Sequence, residues 1–167
     1  GIKKTDLDET LPGAVIGIFK PDETEFTKDT ALMIAESAED GSFAFENVAY
    51  GTWLIREIAQ PEGFLLCETA FEVTISENGQ IIEAEIVNKY IRGNISIVKV
   101  AEEDTEKKLS GAVFEVYEDI NENGLIDEDE TSIGTLTESE TGIYTISDVI
   151  YGHYLVLETT APKGYHA

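Results

Sequence analysis

Lys4, Glu57 and Asn88 are an amine, an acid and a carboxamide that side-chain alternation turns toward the protein interior. Burying such groups costs several kcal/mol unless they are paired or neutralised, and desolvation favours the neutral amine and the protonated acid. A neutral amine is a nucleophile, and an acid can shuttle protons while ammonia leaves an amide. The trio therefore predicts an amide cross-link from Lys4 to Asn88 promoted by Glu57. An ordinary ion pair, with Asn88 in a turn, is the alternative.

The direction in which each side chain points follows from the alternation of successive side chains in a β-strand. Lys4 shares its parity with Ile2, so Lys4 rather than Lys3 is predicted to point inward. Glu57 continues the face of Trp53 and Ile55. The residues that share a face with Asn88 are Ile82, Ala84 and Ile86.

A second group of candidate ligands lies in residues 119–130, which fit the twelve-residue calcium-loop template. Gly124 stands where that template needs a sharp turn. The predicted Ca²⁺ ligands are Asp119, Asn121, Asn123, the Leu125 carbonyl, Asp127 and Glu130. The alternative is a solvated acidic hairpin turn, because Asp, Asn and Gly are also favoured in turns.

The elements that carry these residues occur twice. Residues 41–64 recur as 142–165 at a constant offset, and residues 11–20 recur as 109–118. The pattern divides the chain into domains at 1–92 and 93–167, with Lys99 and Glu158 as the counterparts of Lys4 and Glu57.

Each copy contains short runs of alternating apolar residues bounded by Gly, Pro, Asn and Asp, the pattern of half-buried strands. Asn78-Gly79 predicts a tight hairpin turn between strands at 69–76 and 80–88. Residues 30–38 could form one short helix. The expected fold is all-β, with two antiparallel β-sandwiches in tandem.

Composition excludes several functions. The 167 residues carry a net charge of −23, which leaves no positive surface for nucleic acid. No apolar run approaches the roughly 20 residues of a membrane span. Cys67 is the only cysteine, so neither an internal disulfide nor a multi-cysteine metal cluster is possible. No catalytic Ser/His/Asp pattern or histidine cluster is present, and we expect no enzyme acting on external substrates.

The two copies together resemble the Cna-B-like (collagen-adhesin B-type, prealbumin-like) domains of Gram-positive surface adhesins and pilins. The first copy carries the resemblance in Lys4-Thr5-Asp6, Leu11-Pro12-Gly13-Ala14, the stretch from Gly41 to Tyr50-Gly51, Glu57 to Phe64, and Val87-Asn88-Lys89. The second carries it in Lys99, the stretch from Leu109 to Phe114, and Glu158 to Tyr165. The calcium-like loop is similar to those in the B repeats of staphylococcal serine-aspartate adhesins.

The resemblance implies a seven-stranded, reverse immunoglobulin fold with self-formed Lys–Asn isopeptide bonds promoted by the glutamate. It also implies an extracellular, cell-wall-associated stalk segment of a surface protein or pilin, flanked by neighbouring domains of that protein. The alternative is an adhesive module that recognises a host matrix protein or carbohydrate. The spacing from Glu57 to Asn88, counted from Glu158, ends beyond Ala167. We therefore expect domain 2 to lack its last strand, and Lys99 and Glu158 to lack an asparagine partner here.

Overall fold

The computed structural model describes residues 1–166, which form fourteen strands and no helix. The chain divides into two compact units, Gly1–Ile91 and Arg92–Ala167. Both the all-β class and the tandem arrangement predicted from the repeat are confirmed. None of the described residues belongs to a helix that could span a membrane.

Unit 1 holds six strands in two sheets. They are β1 (Ile2–Thr5), β2 (Val15–Phe19), β3 (Met33–Glu36), β4 (Gly51–Ala59), β5 (Phe71–Ile75) and β6 (Glu85–Asn88). One sheet is antiparallel in the order β3-β2-β4-β5, whereas β1 and β6 pair in parallel. The first and last strands of the unit are therefore neighbours, which brings the ends of its chain together.

The core of unit 1 is an apolar cluster between these sheets. Ala14, Ile16, Ile18, Phe43, Ile55 and Ile86 are its buried members. Each fully buried isoleucine contributes on the order of 1.5–3 kcal/mol relative to an exposed one. Because β4 and β6 supply Ile55 and Ile86, the polar residues two positions further along each strand are drawn into the same interior.

Two local predictions for unit 1 are wrong. Residues 33–36 form β3 instead of a helix, because their backbone pairs with β2 and this tertiary pairing overrides local propensity. Gly79 does adopt a positive φ of 74°, as the predicted turn requires. However, the turn does not close a hairpin: β5 pairs with β4 and β6 pairs with β1, so it connects two different sheets.

Unit 2 holds the remaining eight strands. They are β7 (Arg92–Val98), β8 (Val100–Ala101), β9 (Asp104–Lys108), β10 (Val113–Glu118), β11 (Ser132–Thr135), β12 (Thr137–Glu140), β13 (Ile143–Ile150) and β14 (Tyr154–Thr160). The sheet orders are β12-β13-β7 and β11-β10-β14, and β8 pairs with β9. Within the described residues, which end at 166, no strand follows Thr160. No described strand of unit 2 therefore occupies the position that β6 occupies in unit 1.

Tyr144 anchors the loop before β10 from inside the core of unit 2. Its hydroxyl accepts a hydrogen bond from the Ala112 amide at 3.0 Å and donates one to the Leu109 carbonyl at 3.1 Å. In unit 1 the Ser37 hydroxyl makes the equivalent pair of bonds to Ala14 and Leu11. The repeated segments at 11–14 and 109–112 are therefore structural loops held by buried hydroxyls.

Tyr144→Phe is expected to destabilise unit 2 by about 1–3 kcal/mol, because a buried amide and carbonyl lose their shared partner. Calorimetry should show a fall of roughly 4–8 °C per kcal/mol in the unfolding temperature of this unit. Tyr117→Phe is the matched control, since the Tyr117 hydroxyl donates to the carboxylate of Glu115, two residues away on the same strand. Equal unfolding temperatures for the two variants would contradict this role for Tyr144.

Candidate cross-link site

An amine, an acid and a carboxamide meet in the interior of unit 1, and the amine is that of Lys3. The Lys3 Nζ donates a hydrogen bond to the Asn88 Oδ1 and lies 3.4 Å from the Glu57 Oε1. Lys3, Glu57 and Asn88 are 0%, 1% and 1% exposed. The structure thus brings Glu57 and Asn88 together as predicted. The lysine beside them is Lys3, not the predicted Lys4.

The prediction that Lys4 faces inward is wrong. Its ammonium group lies at the surface, 2.8 Å from an Asp8 carboxylate oxygen and 3.1 Å from a Glu85 carboxylate oxygen. The error came from Ile2, which is 44% exposed and therefore marks the outer face of β1. In a short strand at the start of a unit, one apolar residue does not define the buried face.

The backbone hydrogen bonds of the two units show which lysine of unit 1 is equivalent to Lys99. The Lys3 amide donates to the Gly41 carbonyl, and the Lys99 amide donates to the equivalent Gly142 carbonyl. The Lys3 and Lys99 carbonyls in turn accept from the amides of the two equivalent leucines that open the repeated loops, Leu11 and Leu109. Lys99 is therefore the counterpart of Lys3 rather than of Lys4.

Three strands position the site. Lys3 on β1 stands opposite Ile86 on β6, and Asn88 stands opposite Thr5 in the same parallel ladder. Asn88 and Ile86 lie on one face of β6, so burial of the isoleucine also buries the amide. Glu57 enters from β4 in the facing sheet. The site consequently links the first strand, the last strand and the centre of the other sheet.

Hydrogen bonds occupy both oxygens of the Glu57 side chain. Its Oε1 accepts from the Asn88 Nδ2 at 2.8 Å, and its Oε2 accepts from the Cys67 amide at 2.6 Å. The Asn88 amide is thereby held between an amine on its oxygen and an acid on its nitrogen. Held in this way, its side chain has one orientation relative to Lys3.

Burial favours the neutral form of the Lys3 amine. Desolvation lowers the pKa of Lys3 below its ordinary value, and the nearby Glu57 charge and hydrogen bond offset only part of this effect. The surface amine behaves oppositely, because hydrogen bonds to Asp8 and Glu85 raise the pKa of Lys4. Of the two adjacent lysines, Lys3 is therefore the one whose neutral, nucleophilic form the fold favours.

Lys4→Ala is expected to leave the unfolding temperature of unit 1 unchanged to within roughly 3 °C, because exposed ion pairs stabilise proteins little. Thermal denaturation monitored by the fluorescence of Trp53, the only tryptophan, reports on this unit. A large drop would show that Lys4, not Lys3, has the structural role.

Unit 2 contains part of the same arrangement. The Lys99 Nζ lies 2.8 Å from the Glu158 Oε2, and Glu158 stands opposite Phe114 as Glu57 stands opposite Ile16. The Glu158 Oε1 is buried and has no hydrogen-bond partner within residues 1–166. Its counterpart, the Glu57 Oε1, is the oxygen that Asn88 occupies in unit 1.

The calcium-like loop connects β10 to β11, two neighbouring strands of one sheet. Asp119 and Glu130, its first and last positions, are both buried. The Asp119 carboxylate accepts from the Asn123 and Gly124 amides at 3.1 and 3.0 Å. The Glu130 carboxylate accepts from the Ile120 and Asp127 amides at 3.0 and 3.1 Å. The loop is therefore closed on itself by its two end carboxylates.

Three of the remaining predicted ligands, Asn121, Asn123 and Asp127, contact one another across the loop. The Asp127 Oδ2 accepts from the amide nitrogens of Asn121 and Asn123 at 2.8 and 2.7 Å. No set of three or more His, Cys, Asp or Glu side chains within the described residues is arranged to hold a metal. A cation would require both amides to present oxygen instead of nitrogen, a rotation that the neutral side chain permits.

Comparison with known proteins shows what the chain is similar to. The family model of the SpaA prealbumin-like fold domain matches residues 1–90 and again residues 93–167. No curated protein matches the sequence. Among solved structures, the Bacillus anthracis TIE protein aligns over 99% of this chain with 24% identity and a TM-score of 0.77. That similarity shows the fold.

Two pilins also align, with lower TM-scores. A streptococcal ancillary pilin aligns over 99% of this chain with 18% identity and a TM-score of 0.44. The shaft pilin SpaA of Lactobacillus rhamnosus GG aligns over 99% of this chain and 88% of its own, with 16% identity and a TM-score of 0.40. This chain spans only 28% of the TIE chain and 54% of the ancillary pilin chain.

The two family matches together cover nearly the whole sequence, one to each structural unit. The chain belongs to the SpaA prealbumin-like fold family and carries two of its domains in tandem.

Proposed function

We propose that this protein is a stalk segment of a Gram-positive surface protein or pilus, in which a self-formed isopeptide bond between Lys3 and Asn88 fastens unit 1. The observation that supports the bond is the placement of both reacting side chains, with Glu57 beside them, in an interior site without solvent exposure. Such a bond would join β1 to β6 covalently. In a chain that cannot form a disulfide, it would replace one and would resist reduction.

The proposed reaction balances without a further reactant. The neutral Lys3 Nζ attacks the Asn88 side-chain carbon, a C–N bond forms, and the Asn88 Nδ2 leaves as ammonia. Glu57 lies 3.4 Å from the attacking nitrogen and 2.8 Å from the leaving nitrogen. It is therefore placed to take a proton from the first and deliver one to the second. Fixed proximity supplies much of the rate, because the amine and amide are held in contact by the fold.

The mass of the intact protein tests this reaction. Bond formation removes one ammonia, so the mass should lie about 17 Da below that calculated from the sequence. Glu57→Gln should restore the full mass while keeping the size of the side chain. Lys4→Ala should retain the loss, and a branched proteolytic peptide should join the segments around Lys3 and Asn88. An unshifted mass for the parent protein would contradict the bond.

The stalk role rests on the family and on the site. The chain consists of two tandem structural domains, and their proposed partners are the preceding and following domains of the same cell-wall-associated protein. A binding module would instead require a recognition surface. Arrays of matrix proteins and glycans probed with this chain separate the two roles: no saturable binding is expected from a stalk, and a micromolar ligand would favour the adhesive alternative.

We further propose that residues 119–130 bind Ca²⁺ in unit 2. The Asp127 carboxylate contacts the side chains of Asn121 and Asn123, and hydrogen bonds to the Asp119 and Glu130 carboxylates already close the two ends of the loop, so little additional ordering is required. Calorimetric titration with Ca²⁺ should show one site in the parent protein. Substitution of both Asp119 and Glu130 by alanine should abolish it, and indistinguishable heats would contradict the proposal.

A further inference from the structure

Unit 1 contains an open apolar groove that the proposed cross-link does not use. Its cavity volume is about 840 Å³. The apolar side chains of its lining include Phe45, Val48, Ile55, Val73 and Ile82. Several of these residues also pack against the hydrophobic core, so the groove reaches the core of the unit.

Two segments of extended sequence border this groove without strand partners. Residues 44–50 and residues 80–84 line it, and neither segment belongs to a strand in the described structure. The second segment nevertheless continues the alternation of β6, with Ile82 and Ala84 turned inward. Backbone amides and carbonyls that lie outside a β-ladder can pair with an added strand.

The line of β1 leads into the space between the two segments. Gly1 exchanges hydrogen bonds with Phe43 at 2.8 and 3.0 Å, and the Ile2 amide donates to the Ala84 carbonyl at 2.9 Å. Gly1 therefore already lies between the two bordering segments. A strand that continued β1 backward would have residues 44–49 on one side and residues 80–84 on the other.

Unit 2 shows the corresponding strand in place. The repeat aligns Phe43 with Tyr144, and residues 144–150 lie in β13, which pairs with β7 along its length. Because Lys99 is the counterpart of Lys3, Gly1 corresponds to Ile97 in β7. Ile95 and Ile97 of β7 pack against the core of unit 2. The unit 1 equivalents of residues 92–96 would lie beyond Gly1, in the groove.

We propose that this groove receives an extended strand continuous with Gly1, antiparallel to residues 44–49 and parallel to residues 80–84. The residue of that strand opposite Phe45 is apolar, as Ile95 is opposite Ile146 in unit 2. The strand extends β1 from four residues to a central strand paired on both sides. It also covers the apolar groove, which otherwise contacts water.

The test is a variant of the full chain with Arg-Gly-Asn-Ile-Ser, a copy of residues 92–96, placed directly before Gly1. Hydrogen exchange should slow at least about tenfold at the amides of residues 44–49 and 80–84 that pair with the strand. The unfolding temperature of unit 1 should rise by roughly 5 °C or more. Unit 2, which has its own β7, should be unaffected and serves as the internal reference.

A matched extension, Arg-Gly-Asn-Asp-Ser, differs only in placing a charge opposite Phe45 and should give neither effect. Equal protection from the two extensions, or none from the first, would overturn the proposal. The free peptide Arg-Gly-Asn-Ile-Ser-Gly is the third arm. If the peptide slows hydrogen exchange less than the extension does, the result supports a strand continuous with Gly1. If the peptide slows exchange equally or more, the strand continuous with Gly1 is ruled out and the groove is assigned to a separate chain.

Discussion

Asn88→Ala is expected to lower the unfolding temperature of unit 1 by roughly 20 °C or more. The proposed bond spans 85 positions of sequence. A covalent link across a loop of that length stabilises a protein by about 4–5 kcal/mol on the chain-entropy account, and each kcal/mol corresponds to roughly 4–8 °C in a domain of this size. The substitution also removes buried hydrogen bonds to Lys3 and Glu57, which adds to the loss.

Two further variants separate the bond from the packing around it. Glu57→Gln keeps the volume of the side chain and one of its two acceptor oxygens but cannot transfer protons, so it should unfold at a temperature close to that of Asn88→Ala. Lys3→Met keeps an unbranched chain of similar length without the amine and should do the same. Denaturation followed by Trp53 fluorescence, with the mass of each sample measured in parallel, checks these results. Unfolding of Glu57→Gln within a few degrees of the parent would contradict a stabilising cross-link.

Ca²⁺ at about one hundred times its dissociation constant should stabilise unit 2 by about 2.7 kcal/mol and raise its unfolding temperature by roughly 10–20 °C. The shift should be absent from unit 1, where residues 20–32 connect the equivalent strands and do not fit the calcium-loop template. Removal of Ca²⁺ with a chelator should reverse it. Differential scanning calorimetry resolves the two effects if the units unfold in separate transitions, and hydrogen exchange of each unit provides the same comparison otherwise.

The strong negative charge of the protein requires a control for this experiment. A chain of net charge −23 gains stability from any cation that screens its self-repulsion. Glu130→Ala removes one proposed ligand while leaving the net charge nearly unchanged, and NaCl at matched ionic strength gives screening alone. An equal shift in Glu130→Ala, or in NaCl, would show that screening rather than a bound ion is responsible.

Sequence patterns were sufficient to predict the tandem β-fold and two of the three residues of the buried site. Glu57 and Asn88 follow long alternating stretches, and the isoleucines beside them are buried, so their parity was well determined. Lys3 was missed because β1 is only four residues long and its one isoleucine faces outward. In so short a strand, which side chains face inward depends on the residues that contact the strand in the fold. Here these are Gly41 and Asn88, which are distant in sequence.

The other errors have a related physical cause. Residues 80–84 alternate as a strand does, yet the structure assigns strand pairing only from Glu85 onward. Alternation reports which face of a segment is buried, whereas a strand also needs a partner for its backbone. Residues 33–36 show the opposite case. They form a strand because they pair with β2, and their local sequence pattern does not predict this pairing.

The parallel pairing of β1 with β6 has a mechanical consequence. When Gly1 and Ile91 are pulled apart, tension runs along both strands in opposite directions, so their ladder is loaded in shear and its hydrogen bonds resist together. With Lys3 joined to Asn88, the force would cross from one strand to the other through the side-chain amide. The 85-position segment between them would carry no tension, and roughly 300 Å of contour length could not be released.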